Sequence, residues 1–139
     1  MEIRDNDYLM RQLKELVRVL TIIQGLRKKG KYEEVEQVIA VSLQSMIGIE
    51  LSELDALSTD HLTDHLIQQE GISNEALKII AELLFERGDM YWEMEEKLKA
   101  QENFNKSKQI YEHIVEHGRA YSLDWNSKIS HIKNLFGED

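Results

Sequence analysis

Apolar residues along this chain recur every three or four positions and almost never alternate, the pattern of helices that each bury one face. Leu9, Leu13, Leu16, Val17, Leu20 and Ile23 form one such stripe, and the spacing predicts a helix from about residue 5 to 29. The cations of "RKKGK" offset the dipole at its C-terminal end, and Gly30 breaks it. A second helix over about 32–47 turns Val35, Val38, Ile39, Ser42, Leu43 and Met46 inward and stops at Gly48. A brief turn near 51–56 follows, then a helix capped by Ser58 or Thr59 that runs to about residue 70. The next helix opens with Ser73 or Asn74 as its cap and carries Ala76, Ile79, Ile80, Leu83, Leu84 and Tyr91 on its inward face. A break near 95–97 leads to a helix with Ala100, Phe104, Ser107, Tyr111 and Ile114 on one stripe, which Gly118 ends. Trp125, Ile129, Ile132 and Phe136 mark a last helix before a frayed "GED" tail. With no proline, and glycines placed mainly where helices should stop, the expected fold is all-α with about six helices.

One stretch, "FERGDMYWEMEEKLKAQENFNKSKQIY", carries a finer signal. The tetratricopeptide unit is a 34-residue helix–turn–helix with Leu-Gly-x2-Tyr in its first helix and Ala-x3-Phe in its second. Here Leu84, Gly88, Tyr91, Ala100, Phe104 and Ser107 follow that order. Gly88 and Ala100 belong where the two helices come closest, and Tyr91 and Phe104 fill the space around the crossing. The charged residues between these positions are expected on the outer surface. Arg87 stands where the pattern has Leu, and no proline ends the unit. "RKKGKYEEVEQVIAVSLQSMIG" is a weaker match to a turn and second helix of the same kind. The expectation is a single domain of stacked antiparallel hairpins in a right-handed superhelix: a first hairpin at 5–48, bridging helices at 51–71, a tetratricopeptide-like hairpin at 73–117 and a capping helix at 121–136. A free-standing solenoid needs about three repeats, so this is a compact variant or half of a dimer.

Charge and composition narrow the function classes. The 139 residues suit one domain and contain no cysteine, which removes thiol chemistry and Cys-ligated metals and fits a reducing compartment. The start is charged and lacks the apolar core of a signal peptide, and no apolar run approaches the roughly 18 residues of a membrane span. A soluble, cytoplasmic protein is expected. The net charge of −9 argues against broad nucleic-acid binding. Eight basic and four acidic residues occupy positions 1–31, against nine basic and 22 acidic in the remainder. Such asymmetry is consistent with a soluble helical surface, and also with a first helix that meets an acidic surface on a partner or a second copy.

Several segments together resemble a family of small tetratricopeptide-like helical proteins from Gram-positive Firmicutes: "NDYLMRQLKELVRVL", "GKYEEVEQVI", "AELLFERGDMYWEMEEKLKAQENFNKSKQIYEHI" and "YSLDWNSKISHI". They cover most of the chain. The resemblance implies a tetratricopeptide-like fold and carries no activity, so it transfers no catalytic residue.

Candidate chemistry is sparse. His61 and His65, with Asp60 and Asp64 beside them, sit four apart, as do His113 and His117, spacings that put two imidazoles on one helix face as a metal would need. Neither pair is His-Glu-x-x-His, and two ligands are too few unless the pairs converge, so metal binding ranks well below two solvated helix faces. Glu95 and Glu96 lie in an expected solvated turn without a general-acid partner, and no phosphate loop or nucleophile elbow is present. No cofactor and no catalysis are expected. Repeats of this kind bind peptides on the concave side, lined by the first helix of each hairpin. Glu82, Phe85, Asp89, Trp92 and Glu93 would line that groove with Gln24, Arg27 and Lys28, and aromatics among acids suit a basic or amphipathic segment of a protein partner. Equally, Phe85 and Trp92 can pack against the capping helix or a second subunit. The expected function is a non-catalytic interaction module, with a homo-oligomeric structural protein as the alternative and a histidine-based metal hydrolase as a remote third.

Overall fold

The computed structural model describes residues 2–117 and 122–137, with side chains from Tyr8 onward except those of 9 and 122–125. Seven helices and no strand occur among the described residues: α1 (Glu2–Lys28), α2 (Tyr32–Met46), α3 (Leu51–Ala56), α4 (Thr59–Gln68), α5 (Asn74–Glu93), α6 (Lys97–His117) and α7 (Ser122–Phe136). The protein is all-helical, with one helix more than the six expected because the turn at 51–56 is a short helix in its own right. The stop at Gly118 and the placement of Leu9 and Trp125 lie outside the described side chains.

The ends of the helices follow from local chemistry. After α1, Gly30 adopts φ 70° while its N–H donates to Arg27 O and the Lys31 N–H reaches back to Leu26 O, which satisfies the last carbonyls of the helix. The same closure joins α5 to α6, where the Glu95 N–H donates to Trp92 O and the Glu96 N–H to Tyr91 O. There the left-handed residue is Glu95, φ 63°, a conformation that carries a steric cost for any residue with a Cβ. Ser73 caps α5, its Oγ accepting from the Ala76 N–H, whereas Ser58 precedes α4 with its hydroxyl turned to His61 Nδ1 at 2.8 Å.

α5 is the centre of the molecule. Every residue from Ile79 to Met90 is buried, because α1, α2, α6 and α7 surround it. This corrects the expectation of charges on an outer surface: Glu82, Glu86, Arg87 and Asp89 are buried with their apolar neighbours. A helix packed on all sides has no solvent face on which to place them, so each is paired instead. Arg87 forks to Glu36 of α2 at 2.6 Å and to Asp55 of α3 at 2.6 Å, with Asn103 of α6 also in reach. Burial works against its charge, but the bonds to Glu36 and Asp55 outweigh that and hold the guanidinium charged. Lys106 of α6, also buried, donates to the carbonyl of Leu54 near the end of α3. One arginine and one lysine thus fasten the bridging segment to the central pair.

α5 and α6 run antiparallel through their small residues. A Cβ added at Gly88 would lie 2.6 Å from the Phe104 ring, so the approach requires glycine. Leu84, Ala100, Phe104 and Ser107 are fully buried, Tyr91 partly so, and the Ser107 hydroxyl donates to Ala81 O at 2.8 Å. A main core joins α1 to α6; a second, smaller cluster of Phe85, Ala100 and Phe104 is closed by Ile132, Leu135 and Phe136 of α7.

On α1 the structure corrects a second expectation. Leu16, Val19 and Ile23 are buried, but Leu13 is 47% and Val17 64% exposed, and Tyr8 and Met10 stand in solvent with them. α1 has 27 residues against 15 in α2, so about 18 Å of helix runs past its antiparallel neighbour and leaves Tyr8, Met10 and Leu13 uncovered, whereas Val17 lies within the overlap on the side of α1 turned away from the buried Leu16, Val19 and Ile23.

Candidate protein-interaction face

One face of α5 gathers most of the groove residues expected from the sequence. Glu82, Glu86, Asp89 and Glu93 recur at spacings of four, three and four, which aligns their carboxylates along the helix. Phe85 and Trp92 lie beside this row. α1 and α7 flank it.

On the α1 side, Arg27 spans the row. Its guanidinium donates to Glu86 at 2.7 Å and takes Glu93 in a two-point grip at 2.8 and 3.1 Å, with Asp89 at 3.7 Å. Burial opposes the charge, but the Glu93 bonds and then the Asp89 and Glu86 charges raise the pKa of Arg27 above that of an ordinary arginine. Gln24 also bonds to Glu86, whose carboxyl is nonetheless pushed up by burial, with Asp89 adding to the effect and Arg27 opposing it. Lys28 is exposed. Of the expected groove set, Gln24, Arg27, Asp89 and Glu93 therefore come together in one network, while Lys28 stands outside it.

On the other side α7 lies along α5 in the same direction. Its residues meet the face in ascending order: Lys128 against Glu82 at 3.3 Å, His131 donating from Nε2 to Asp89 Oδ1 at 2.7 Å, and the Phe136 ring on Trp92 at a centroid distance of 5.0 Å. Lys128 Nζ also stands 5.0 Å above the Phe85 ring and 5.9 Å from that of Tyr111, whose hydroxyl donates to Glu82. Glu82, Phe85 and Tyr111 thus form an aromatic–carboxylate cage around one ammonium group. Phe85 and Trp92 are covered by the capping helix, the second of the two placements open to them in the sequence.

Tyr111, Lys128, His131 and Phe136 belong to this site and were not among the residues expected to line it. Lys128 and His131 are three apart on the last helix, and with Phe136 they give a face of hydrogen-bond donors ending in an aromatic. That pattern was visible, but the pairing with residues about 40 positions earlier was not.

The histidine pairs sit elsewhere. His61 contacts Ser58, His65 lies 3.5 Å from Glu70, and the rings of His113 and His117 stack at 4.2 Å. Among the described residues no group of three or more potential ligands surrounds a metal-sized position. Among them, too, no helix is long and apolar enough to cross a membrane. No protein family, no curated protein and no solved structure matches this chain.

Proposed function

We propose that this chain is a non-catalytic, tetratricopeptide-like interaction module of the cytoplasm, with its hairpins stacked in a right-handed superhelix, and that it binds a protein segment on the acidic and aromatic face of α5. The observation that carries the reading is the seating of α7. A helix with Lys128, His131 and Phe136 along one side already lies on Glu82, Asp89 and Trp92, so the chemistry of the face suits a cationic amphipathic helix. The close α5–α6 crossing at Gly88 supports the tetratricopeptide-like build. The acidic balance, −9 overall, speaks for a protein partner over nucleic acid.

The test is affinity capture from lysate of the source organism, with wild type compared against a Trp92→Ala/Arg27→Glu variant whose helicity is intact by circular dichroism. A protein held by wild type and released by the variant supports the reading; equal capture by both removes the α5 face from it.

A second reading, self-association into a structural oligomer, is favoured by the exposed Met10, Leu13 and Val17 on α1. A dimer in light scattering that becomes monomeric on Leu13→Glu/Val17→Glu substitution is its signature.

A further inference from the structure

α7 differs in kind from the six helices before it. Each of those contains fully buried side chains; among the described side chains of α7, residues 126–136, none is fully buried. Its hold on the molecule combines half-buried packing of Ile129, Ile132, Leu135 and Phe136 with an ion pair at Glu82, a hydrogen bond at Asp89 and ring contacts with Trp92, Phe104 and Phe85. On the α6 side it does not close down fully. A cleft of about 70 Å³ remains between the two helices, lined by Gln101, Asn105 and Lys108 of α6 and by Ile129, Ile132 and Lys133 of α7, with Phe104 and Phe136 at its base.

The seat beneath is better formed than the helix upon it. With α7 in place Glu82, Phe85 and Asp89 are buried, Phe104 fully so. Tyr111 and Arg27, both outside α7, hold Glu82 and Asp89 from behind. The seat is therefore organised by α1, α5 and α6 and offers three recognition points along one line: the cation cage at Glu82, an acceptor at Asp89 and an aromatic shelf at Trp92 and Phe104.

We propose that α7 is an exchangeable occupant of this seat, and that the seat is the recognition site for a partner helix of the same chemistry, which takes it by displacing α7. This rests on the reading of the chain as an interaction module and adds the partner's pattern and the gate. The partner helix carries a lysine or arginine at position i for the cage, a hydrogen-bond donor or cation at i+3 for Asp89, and an aromatic at i+8 for the shelf, the spacing of Lys128, His131 and Phe136. Because α7 is tethered to its seat, it competes at high effective concentration, and a partner binds in proportion to the fraction of molecules with α7 released.

The experiment uses the full chain and a labelled synthetic peptide with the sequence of residues 122–137 as the probe, followed by fluorescence anisotropy. Lys128→Glu/His131→Glu in the chain places carboxylates against Glu82 and Asp89 and loosens α7 without touching the seat; Phe136→Ala is a second loosening variant that keeps the contacts at Glu82 and Asp89. The expected result is binding about ten-fold tighter or more to either loosened chain than to wild type. Trp92→Ala in the loosened background, or the Lys128→Glu/His131→Glu changes made in the peptide, should abolish it. No binding to loosened chains that remain helical by circular dichroism overturns the proposal, as does equal binding to wild type and loosened chains. A wild-type dimer that exchanges its own α7 between copies overturns the partner in favour of a second molecule of this chain. If the peptide fails while wild type still captures a protein in a Trp92-dependent way, the interaction-module reading stands and only the exchange of α7 falls.

Discussion

Replacing Gly88 with alanine sets two effects of known size against each other. In an exposed helix the change gains about 1 kcal/mol, since alanine is the better helix former. At this position the new methyl would lie 2.6 Å from a fully buried ring, which has to shift to admit it. Overpacking of this kind costs about 1–3 kcal/mol. Gly88→Ala is therefore expected to lower stability in urea unfolding, and Phe104→Leu on top of it to recover part of the loss; an increase in stability would show that the helices separate freely. Arg87 presents a different contest. Its partners Glu36 and Asp55 keep 36% and 47% of their side-chain surface in water. Arg87→Met leaves them unpaired but able to rehydrate, so the expected loss is about 1–3 kcal/mol, below the 3–5 of a fully buried pair broken on one side. A larger loss, measured in the same way, would mean that the carboxylates remain trapped.

At the scale of the element, much of the fold is legible in the sequence because its causes are local. Gly30 and Gly48 stop helices within a few residues of where the apolar stripe fails, and Ser73 caps its own helix. The Gly88–Phe104 crossing is legible too, since the two helices follow one another and the pattern of small and aromatic residues spans a single hairpin. What escapes is any pairing across distance. A stripe says that a face is apolar, not how long the covering helix is or how wide a strip it covers, so Leu13 reads as core although α1 outruns α2 there, and Val17 reads as core although it lies beyond the edge of the buried strip. The charges of α5 read as surface because a helix enclosed on all sides and a helix with one wet face have similar composition. Their ionisable Arg, Lys, His, Asp and Glu partners, 32 to 66 residues away, were invisible. The histidines of α6 give a prediction at this scale. Burial, and then the neighbouring charge of His117, lowers the pKa of His113, with Glu116 and Asp64 opposing. A histidine whose pKa is depressed on folding takes up its proton more readily when unfolded. The stability it contributes is thus complete above the ordinary histidine range and is lost as pH falls from about 6.5 towards the folded value. His117→Gln removes the like charge and is expected to flatten the pH dependence of the melting temperature between pH 7 and 5; an unchanged slope would assign the acid sensitivity to other groups.

For the molecule as a whole, the arrangement places the most enclosed helix and the least enclosed one side by side. α5 touches neighbours in every direction and carries the acid row; α7 covers that row and buries none of its own described side chains fully. Local opening is cheapest where few apolar contacts are lost, and amide exchange reports its free energy segment by segment. Hydrogen exchange followed by mass spectrometry is therefore expected to show the greatest protection in α5 and α6 and the least in α7 and the overhanging first turns of α1. The contrast with a substitution is more telling than the order alone. Phe136→Ala removes the ring that rests on Trp92 and Phe104 and should speed exchange in α7 while α5 keeps its protection, because the buried residues of the main core all come from α1 to α6 and the segments between them, with α7 adding only the half-buried Ile129 at its edge. If α5 loosened together with α7, the two would form one cooperative unit. An incoming helix would then have to unfold the module in order to bind it, and α7 would be a structural cap instead of a gate.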